Sequence, residues 1–351
     1  MPELLVKKKR IPWGHLLLFS WLPSPLKVLV YRTVLGYRIG RRVKLALGSV
    51  VVGDDVTLDD DVEIGFLAVV QGRSITIGRH SSVGTMSYVS CNRIELGEDA
   101  RIREQVYVGG PQLPESRFTL GSRTIVLQMA YINPTKPVTI GDDTGIGGHC
   151  LIFTHGSWLS ALEGYPVTYE PVTIGRSVWL PWRVFVMPGA TIGDGSVIGA
   201  NSLVSGAIPP SSLAAGTPAK VLRSAPDFPR TLTADQRTAK IDEMLAEFDR
   251  FVADEGVTVS GEGDVRSYAM RGRTWRLRRV RAGDPLPHAL DDGTTVLTDA
   301  AMPAASRAAL RERGVPYLDL GDKVRSEIAS PLTEELAAFL GRYGIRPARE
   351  Y

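Results

Sequence analysis

From Ile174 the apolar positions run Ile174, Leu180, Val186, Ile192, Ile198 and Val204, six in succession at an interval of six. The same phase recurs as Ile140, Ile146, Ile152, as Leu96, Ile102, Val108, as Ile77, Val83, Val89, and as Val52, Leu58, Ile64, Val70. A period of six matches neither an amphipathic helix nor an unbroken strand. It predicts short strands with a corner after each, stacked as a parallel β-helix whose ladder residues point into the axis. Slips in the phase locate insertions. The interval is seven from Val70 to Ile77 and from Val89 to Leu96, a one-residue adjustment, but 22 from Ile152 to Ile174. Residues 155–171 (HGSWLSALEGYPVTYEP) are therefore expected to include a loop outside the coil, where function often resides. Gly109–Arg117, with Pro111 and Pro114, is a second candidate, but Val108 and Leu120 keep a multiple of six and it reads as staying within the coil.

The flanks follow other rules. Leu16–Leu35 reads as one or two short amphipathic helices within a cap over 1–44, and the coil occupies 45–223. Thr233-Ala-Asp-Gln236 is a capping box. It opens a helix with Ile241, Met244, Leu245, Phe248 and Val252 on one face, expected to pack on the prism or a neighbouring subunit. Gly256–Gly263 reads as a linker, so 224–262 is a linking helix and 263–351 a small basic α/β domain. In it Val265–Arg281 alternates like a hairpin, followed by strand Thr294–Thr298, helix Pro303–Arg313, strand Val315–Leu320 and helix Thr333–Tyr343.

Composition narrows the class. Hydrophobic residues at 44% and charged residues at 23% exclude a disordered, collagenous or membrane-spanning chain. The 36 glycines become architectural, since a corner needs a positive φ or a close backbone approach. A net charge of +3, from 41 basic and 38 acidic residues, is too small for a nucleic-acid-binding chain. Two cysteines make no disulfide framework and no Cys/His cluster has zinc-finger spacing, so a reducing, cytoplasmic setting is expected, with no metal.

Two basic clusters stand out. Lys7–Arg10 followed by Ile11–Leu22 imitates a signal peptide, but Pro12 and Pro23 interrupt it and no small-residue cleavage site follows. Across 1–44, ten Lys/Arg face only Glu3, a local +9 beside Trp13, Phe19 and Trp21. This suggests peripheral contact with an anionic membrane surface at the inner face, against the plainer reading of a solvated cap. Val265–Arg281 holds Arg266, Arg271, Arg273, Arg276, Arg278, Arg279 and Arg281 with no acid, suited to an anionic acceptor or to a surface of salt bridges.

Four segments in order carry a resemblance: VTIGDDTGIGG (138–148), the pair Thr154-His155, VTIGRSVWLPWRVFVMPGATIGDGSVIGANSLV (172–204) and AIPPSSLAAGTPAKVLR (207–223). They resemble the hexapeptide-repeat acyltransferases over about half of the chain. The resemblance implies a mainly β fold, a left-handed parallel β-helix of hexapeptide repeats, assembled as a homotrimer. Its handedness comes from the family, because parallel crossovers are otherwise right-handed. The implied activity is transfer of an acyl group, usually acetyl, from acetyl-CoA to a hydroxyl or amine of a sugar or surface-glycan precursor.

In similar enzymes the imidazole at the place of His155 is the general base. An acceptor hydroxyl is a poor nucleophile until a base takes its proton, and backbone N–H groups of the coil are suited to hold the oxyanion. A structural histidine at a corner is the plainer alternative. Of the other histidines, His149 lies one repeat earlier, on the next face, in a structural or supporting role; His15 and His80 read as surface or cap residues. By the same resemblance Asn133, Trp158 and Trp179 fall on the acceptor side and Ala200, Ser205, Lys220 and Arg223 on the coenzyme A side, the cations facing its phosphates. Two departures stand out. Gly206 follows Ser205 where many relatives have lysine, and Pro181-Trp182 replaces a smaller pair. The competing readings are a non-catalytic trimeric scaffold and, on the same coil, a γ-carbonic-anhydrase-like enzyme, which needs three histidines around zinc.

Overall fold

The computed structural model describes residues 11–111, 113–287, 289–328 and 330–351. The basic run Lys7–Arg10 lies outside them. The chain divides into two compact units, Met1–Arg230 and Thr231–Tyr351.

In the first unit the six-residue ladder becomes three parallel sheets, of nine, ten and eight strands among the described residues. One column of the first sheet runs through Arg38, Thr57, Thr76, Glu95, Thr119, Thr139, Thr173, Thr191 and Ala207, each paired with the next. The first three steps are 19 residues, three hexapeptides and the one-residue adjustment. Two later steps are far longer: 24 from Glu95 to Thr119 and 34 from Thr139 to Thr173. The second is the expected loop. The first shows that Gly109–Ser116 also leaves the coil, against the expectation from Val108 and Leu120. The normal step from third to first sheet is seven, so twelve is an insertion of five. Inside, the ladder is sealed: Val83, Ile102, Val126, Ile146, Leu180 and Ile198 are each at most 1% exposed.

The corners are built differently from the expectation that glycine turns them. Positive φ falls largely on residues with side chains, in pairs six apart: His80 and Met86, Asp99 and Gln105, Arg123 and Met129, Asp143 and His149. Their amides continue the ladder between coils, as His80 N–H to Asp60 O at 3.0 Å and Asp99 N–H to Arg79 O at 2.9 Å. Glycine serves the close approach instead. A Cβ on Gly84 would lie 2.5 Å from the carbonyl carbon of Arg103 and 2.7 Å from the amide of Glu104, both in the next coil and both backbone. A coil spacing of about 4.8 Å leaves that position no side chain.

Helices α1 (Trp13–Phe19) and α2 (Ser24–Thr33) close the N-terminal end of the coil. Tyr31 is fully buried, its hydroxyl accepting the Val51 amide. Lys27, counted above among the surface cations, is fully buried and donates to the carbonyls of Ser20, Ala46 and Ser49 at 2.8–3.1 Å. Burial pushes its ammonium down to about 8. Arg38, Arg41, Arg42 and Lys44 pair with Asp55, Asp60, Asp61 and Glu63 one coil on. Of the six cap cations among the described residues, four are thus ion-paired and Lys27 is buried. Among the described residues no helix is long and apolar enough to cross a membrane.

The second unit is built on a mixed sheet of seven strands among the described residues. Helix α3 (Ala234–Asp254) opens with the capping box, both of its hydrogen bonds present. Its apolar face belongs to this unit's own core: Ile241, Met244, Leu245, Phe248 and Val252 pack with Leu277, Leu297, Leu336 and Phe339, correcting the expectation that it covers the prism. The supposed linker is also structured. Thr258–Glu262 is a strand paired antiparallel with Val265–Met270, which pairs in turn with Arg273–Val280 through a turn at Arg271-Gly272. Strands Thr294–Thr298 and Tyr317–Asp319 then add in parallel. Helix α4 (Ala304–Glu312) crosses between those two strands, and α5 (Pro331–Leu340) packs with α3.

Four of the seven arginines are ion-paired, with acids brought by other elements. Arg266 meets Asp249 of α3, Arg276 meets Asp291, Arg279 meets Asp299 and Asp242, and Arg281 meets Asp264. The salt-bridge reading therefore accounts for these four, while Arg271, Arg273 and Arg278 are exposed.

Candidate functional site at the third corner of the coil

Both insertions leave the coil where the third sheet hands over to the first. They bracket the strand Tyr131–Asn133. Ile152 fills the axis as a ladder residue, and two positions later the same alternation buries Thr154 completely. Its hydroxyl donates to Asn133 O at 2.7 Å and accepts the Lys136 amide at 2.9 Å, while its carbonyl accepts the Glu170 amide at 3.0 Å. The Thr of the Thr-His pair is thus the pin that holds the root of the long loop to the preceding coil.

His155 follows at the surface, half-buried. Its backbone pairs with Tyr169 in a short antiparallel ladder across the loop base. The imidazole stacks on the Tyr169 ring at 5.6 Å and 18°. Among the described residues the buried Nδ1 has no hydrogen-bond partner. Stacking, and not an acceptor for Nδ1, orients the ring in this chain. Rings approach it along the third sheet: Tyr88, Tyr107, Tyr131 and Phe153 stack in sequence at 5.2, 4.8 and 5.4 Å, with Phe153 at 6.5 Å from His155. Neither Tyr169 nor this stack was singled out from the sequence. The stack was readable, because in three successive coils Tyr88, Tyr107 and Tyr131 stand one place before the ladder residue. The pairing of Tyr169 with His155 was not, since it depends on how the loop returns.

Asn133 is beside this corner but 3% exposed, its Oδ1 accepting from both the amide and the hydroxyl of Thr135. Gly110, from the other inserted loop, lies over it so closely that a Cβ there would be 2.4 Å from Oδ1. Asn133, which the resemblance places on the acceptor side, is thus buried and braced by Thr135. Trp158 stands at the other extreme, 96% exposed on the long loop. Trp179 belongs to the second sheet, lying over Gly145. His149, on the corner after the second sheet, packs against Trp182 at 5.7 Å.

Of the residues that the resemblance assigns to coenzyme A, Ser205 shares the corner of His155, two strands on in the third sheet. Ala200 leaves the second sheet, and Lys220 and Arg223 lie on the antiparallel strand Ala219–Arg223 that ends it; all three are exposed. One chain thus gathers Asn133, Thr154, His155 and Ser205 at one corner and sets Trp179, Ala200, Lys220 and Arg223 on another face. Burial pushes the Cys91 thiol up to about 12 and the Cys150 thiol to about 11, so neither is a thiolate nucleophile near neutral pH. Among the described residues no three His, Cys, Asp or Glu side chains are gathered as a metal-ligand set.

No family model matches the chain. Its similarity to curated proteins lies in part of its length. It is 38% identical over 126 residues to the galactoside O-acetyltransferase of Escherichia coli (strain K12), covering 32% of this chain and 60% of that protein. It is 38% identical over 104 residues to a putative lipopolysaccharide biosynthesis O-acetyl transferase of the same strain, covering 26% of this chain and 53% of that protein. A putative colanic acid biosynthesis acetyltransferase of that strain is 36% identical over 107 residues, covering 30% and 58%. The chain thus spans a little over half the length of these relatives. The ladder of six, the three parallel sheets, the Thr154-His155 pair and this shared stretch of sequence agree with the resemblance of the coil to the hexapeptide-repeat acyltransferases.

Proposed function

We propose that the chain is an acetyl-CoA-dependent acetyltransferase acting on a hydroxyl or amine of a sugar or surface-glycan precursor, with His155 as general base. The observation that carries this reading is the His155 corner itself: a half-exposed imidazole pinned through buried Thr154 and stacked on Tyr169, inside a coil akin to sugar O-acetyltransferases. His155 takes the proton of the acceptor as its oxygen or nitrogen attacks the thioester carbonyl. The tetrahedral intermediate then collapses, the C–S bond breaks, and the imidazolium returns the proton to the departing thiolate. No covalent enzyme intermediate is needed.

The split of the residues between two faces supports a homotrimer with sites between subunits. There the Lys220 and Arg223 face of one copy supplies phosphate contacts beside the His155 corner of the next. The test is release of free thiol from acetyl-CoA in the presence of galactosides and amino sugars. Acceptor-dependent release is expected; absence of both turnover and calorimetric binding of coenzyme A would overturn the reading in favour of a non-catalytic scaffold.

We also propose that the cap docks on an anionic membrane surface, at the cytoplasmic face, and that apolar contact dominates. Trp13, Leu17, Leu18 and Trp21 are 62–73% exposed on and just after α1, while most described cations of the cap are paired or buried. Lys7–Arg10 adjoin this patch in sequence and suit acidic headgroups. Sedimentation with anionic phospholipid vesicles is expected to carry the protein down and to persist at high salt. Loss of binding in salt would return the weight to charge. Unchanged binding in the Trp13→Ser, Trp21→Ser double variant would refute the cap as the anchor.

A further inference from the structure

We propose that the C-terminal unit carries a separate ligand site, for the phosphate group of a small organic phosphate, at the carboxyl ends of strands Arg273–Val280 and Thr294–Thr298. These strands and Tyr317–Asp319 are adjacent and parallel, with α4 crossing between the last two. In open sheets of this kind ligands bind in the crevice outside the carboxyl ends. A cavity of about 270 Å³ lies there, bordered by Val280, Arg281, Leu286, Thr298, Met302 and Ser306.

Two independent features point to a ligand. Thr298 is 4% exposed, and among the described residues its Oγ1 has no hydrogen-bond partner. Strand alternation aims it: Leu297 faces the α3 and α5 core, whereas Val296 and Thr298 face the side of α4, where Val280 and Met302 pack. A buried hydroxyl left unpaired is costly, and one at a cavity wall is a donor awaiting an acceptor. The second feature is the first turn of α4, a nine-residue helix with no side-chain cap. The amides of Ala304 and Ala305 cannot be bonded within the helix, and the Ser306 hydroxyl stands beside them. Amides at a helix N-terminus with flanking hydroxyls suit a phosphate.

Arg281 completes the rim, held by Asp264 at 2.9 Å with Asp242 at 3.6 Å. Asp284 also lines the cavity and is exposed, so the attraction comes from the helix and the hydroxyls more than from net charge. Leu286, Pro285 and Met302 leave an apolar wall for the organic part, which favours an ester over the bare anion.

Every lining residue belongs to the second unit, so the site does not depend on the acetyl-transfer reading. The test uses the full chain, with inorganic phosphate, glucose 1-phosphate and acetate as probes, read by calorimetry and by phosphorus NMR line width. Glucose 1-phosphate is expected to bind more tightly than phosphate, and acetate not at all. Thr298→Val should weaken the ester about tenfold. Ser306→Glu, on the accessible first turn, should abolish binding even if the first variant folds poorly, and thiol release from acetyl-CoA should stay unchanged. No binding of either phosphate probe, binding of the ester by both variants as tightly as by the unaltered protein, or acetate competing with the ester would overturn the proposal.

Discussion

Replacing His155 by alanine is expected to lower kcat for acetyl transfer by about 10²–10⁴-fold, the usual weight of a positioned general base. The KM for acetyl-CoA should change little, because Ala200, Lys220 and Arg223, three of the four residues assigned to the donor, lie on the second sheet and its last hairpin. The fold should survive, since the side chain is at the surface and the root of the loop is pinned by Thr154 through Asn133 O and the Lys136 amide. His149→Ala is the control: that ring sits on another corner against Trp182 and should cost only a few-fold. Undiminished turnover in His155→Ala would end the base assignment while leaving the acetyltransferase reading standing. Equal losses in both variants would indicate a structural histidine. Tyr169→Leu should give a smaller loss in kcat, because the ring that stacks on the imidazole orients it without touching the acceptor.

The largest stability effect is expected at Arg279. Its guanidinium is buried, bidentate to Asp299 at 2.7 Å and 2.7 Å, and also reaches Asp242 of α3. Asp299 is itself 4% exposed. Arg279→Met removes the cation and leaves a carboxylate where water cannot solvate it, so the C-terminal unit should lose about 3–5 kcal/mol. Hydrogen exchange read by peptide should place the loss in 231–351 and leave the coil protected. A loss below about 1 kcal/mol would mark the cluster as equivalent to a solvated surface pair. The double variant Arg279→Met, Asp299→Leu should recover much of the loss, because replacing both partners removes the unpaired charge. That recovery separates a charge effect from a packing defect.

These sites differ in how far they could be read from the residues alone. The coil was legible because each turn repeats one local instruction, an inward apolar residue followed by a corner. The loop at His155 was legible as a break in that instruction. The second loop was not, because an insertion of five between Val108 and Leu120 restores the same phase that a strict six would keep. Its detection needs the sheet register, Glu95 opposite Thr119. Asn133 shows the same limit at a single residue: its burial and its bonds to Thr135 follow from the packed corner and are not legible in the residues around it.

The arginine run illustrates the long-range part. Val265–Arg281 contains no acid, and the run reads as free positive charge. Asp242 and Asp249 come from α3, and Asp264, Asp291 and Asp299 from loops and a strand end, so the neutralising charge is close in space and distant in sequence. The same holds at the N-terminus, where Asp60 and Asp61 answer Arg41 and Arg42 one coil later, and where Lys27 is drawn inside by three carbonyls.

The coil, its parallel stacking, the capping box and the Thr154-His155 pair are written in the residue order, because period and capping act over a few residues. Packing settles which side chains turn the corners, which glycines are there because a neighbouring coil leaves no room for a Cβ, and that the apolar face of α3 packs in the C-terminal unit. It alone placed Tyr169 against His155 and left the hydroxyl of Thr298 unpaired over a cavity. Each of these depends on which backbone lies one coil or one strand away, and that spacing is a property of the packed molecule.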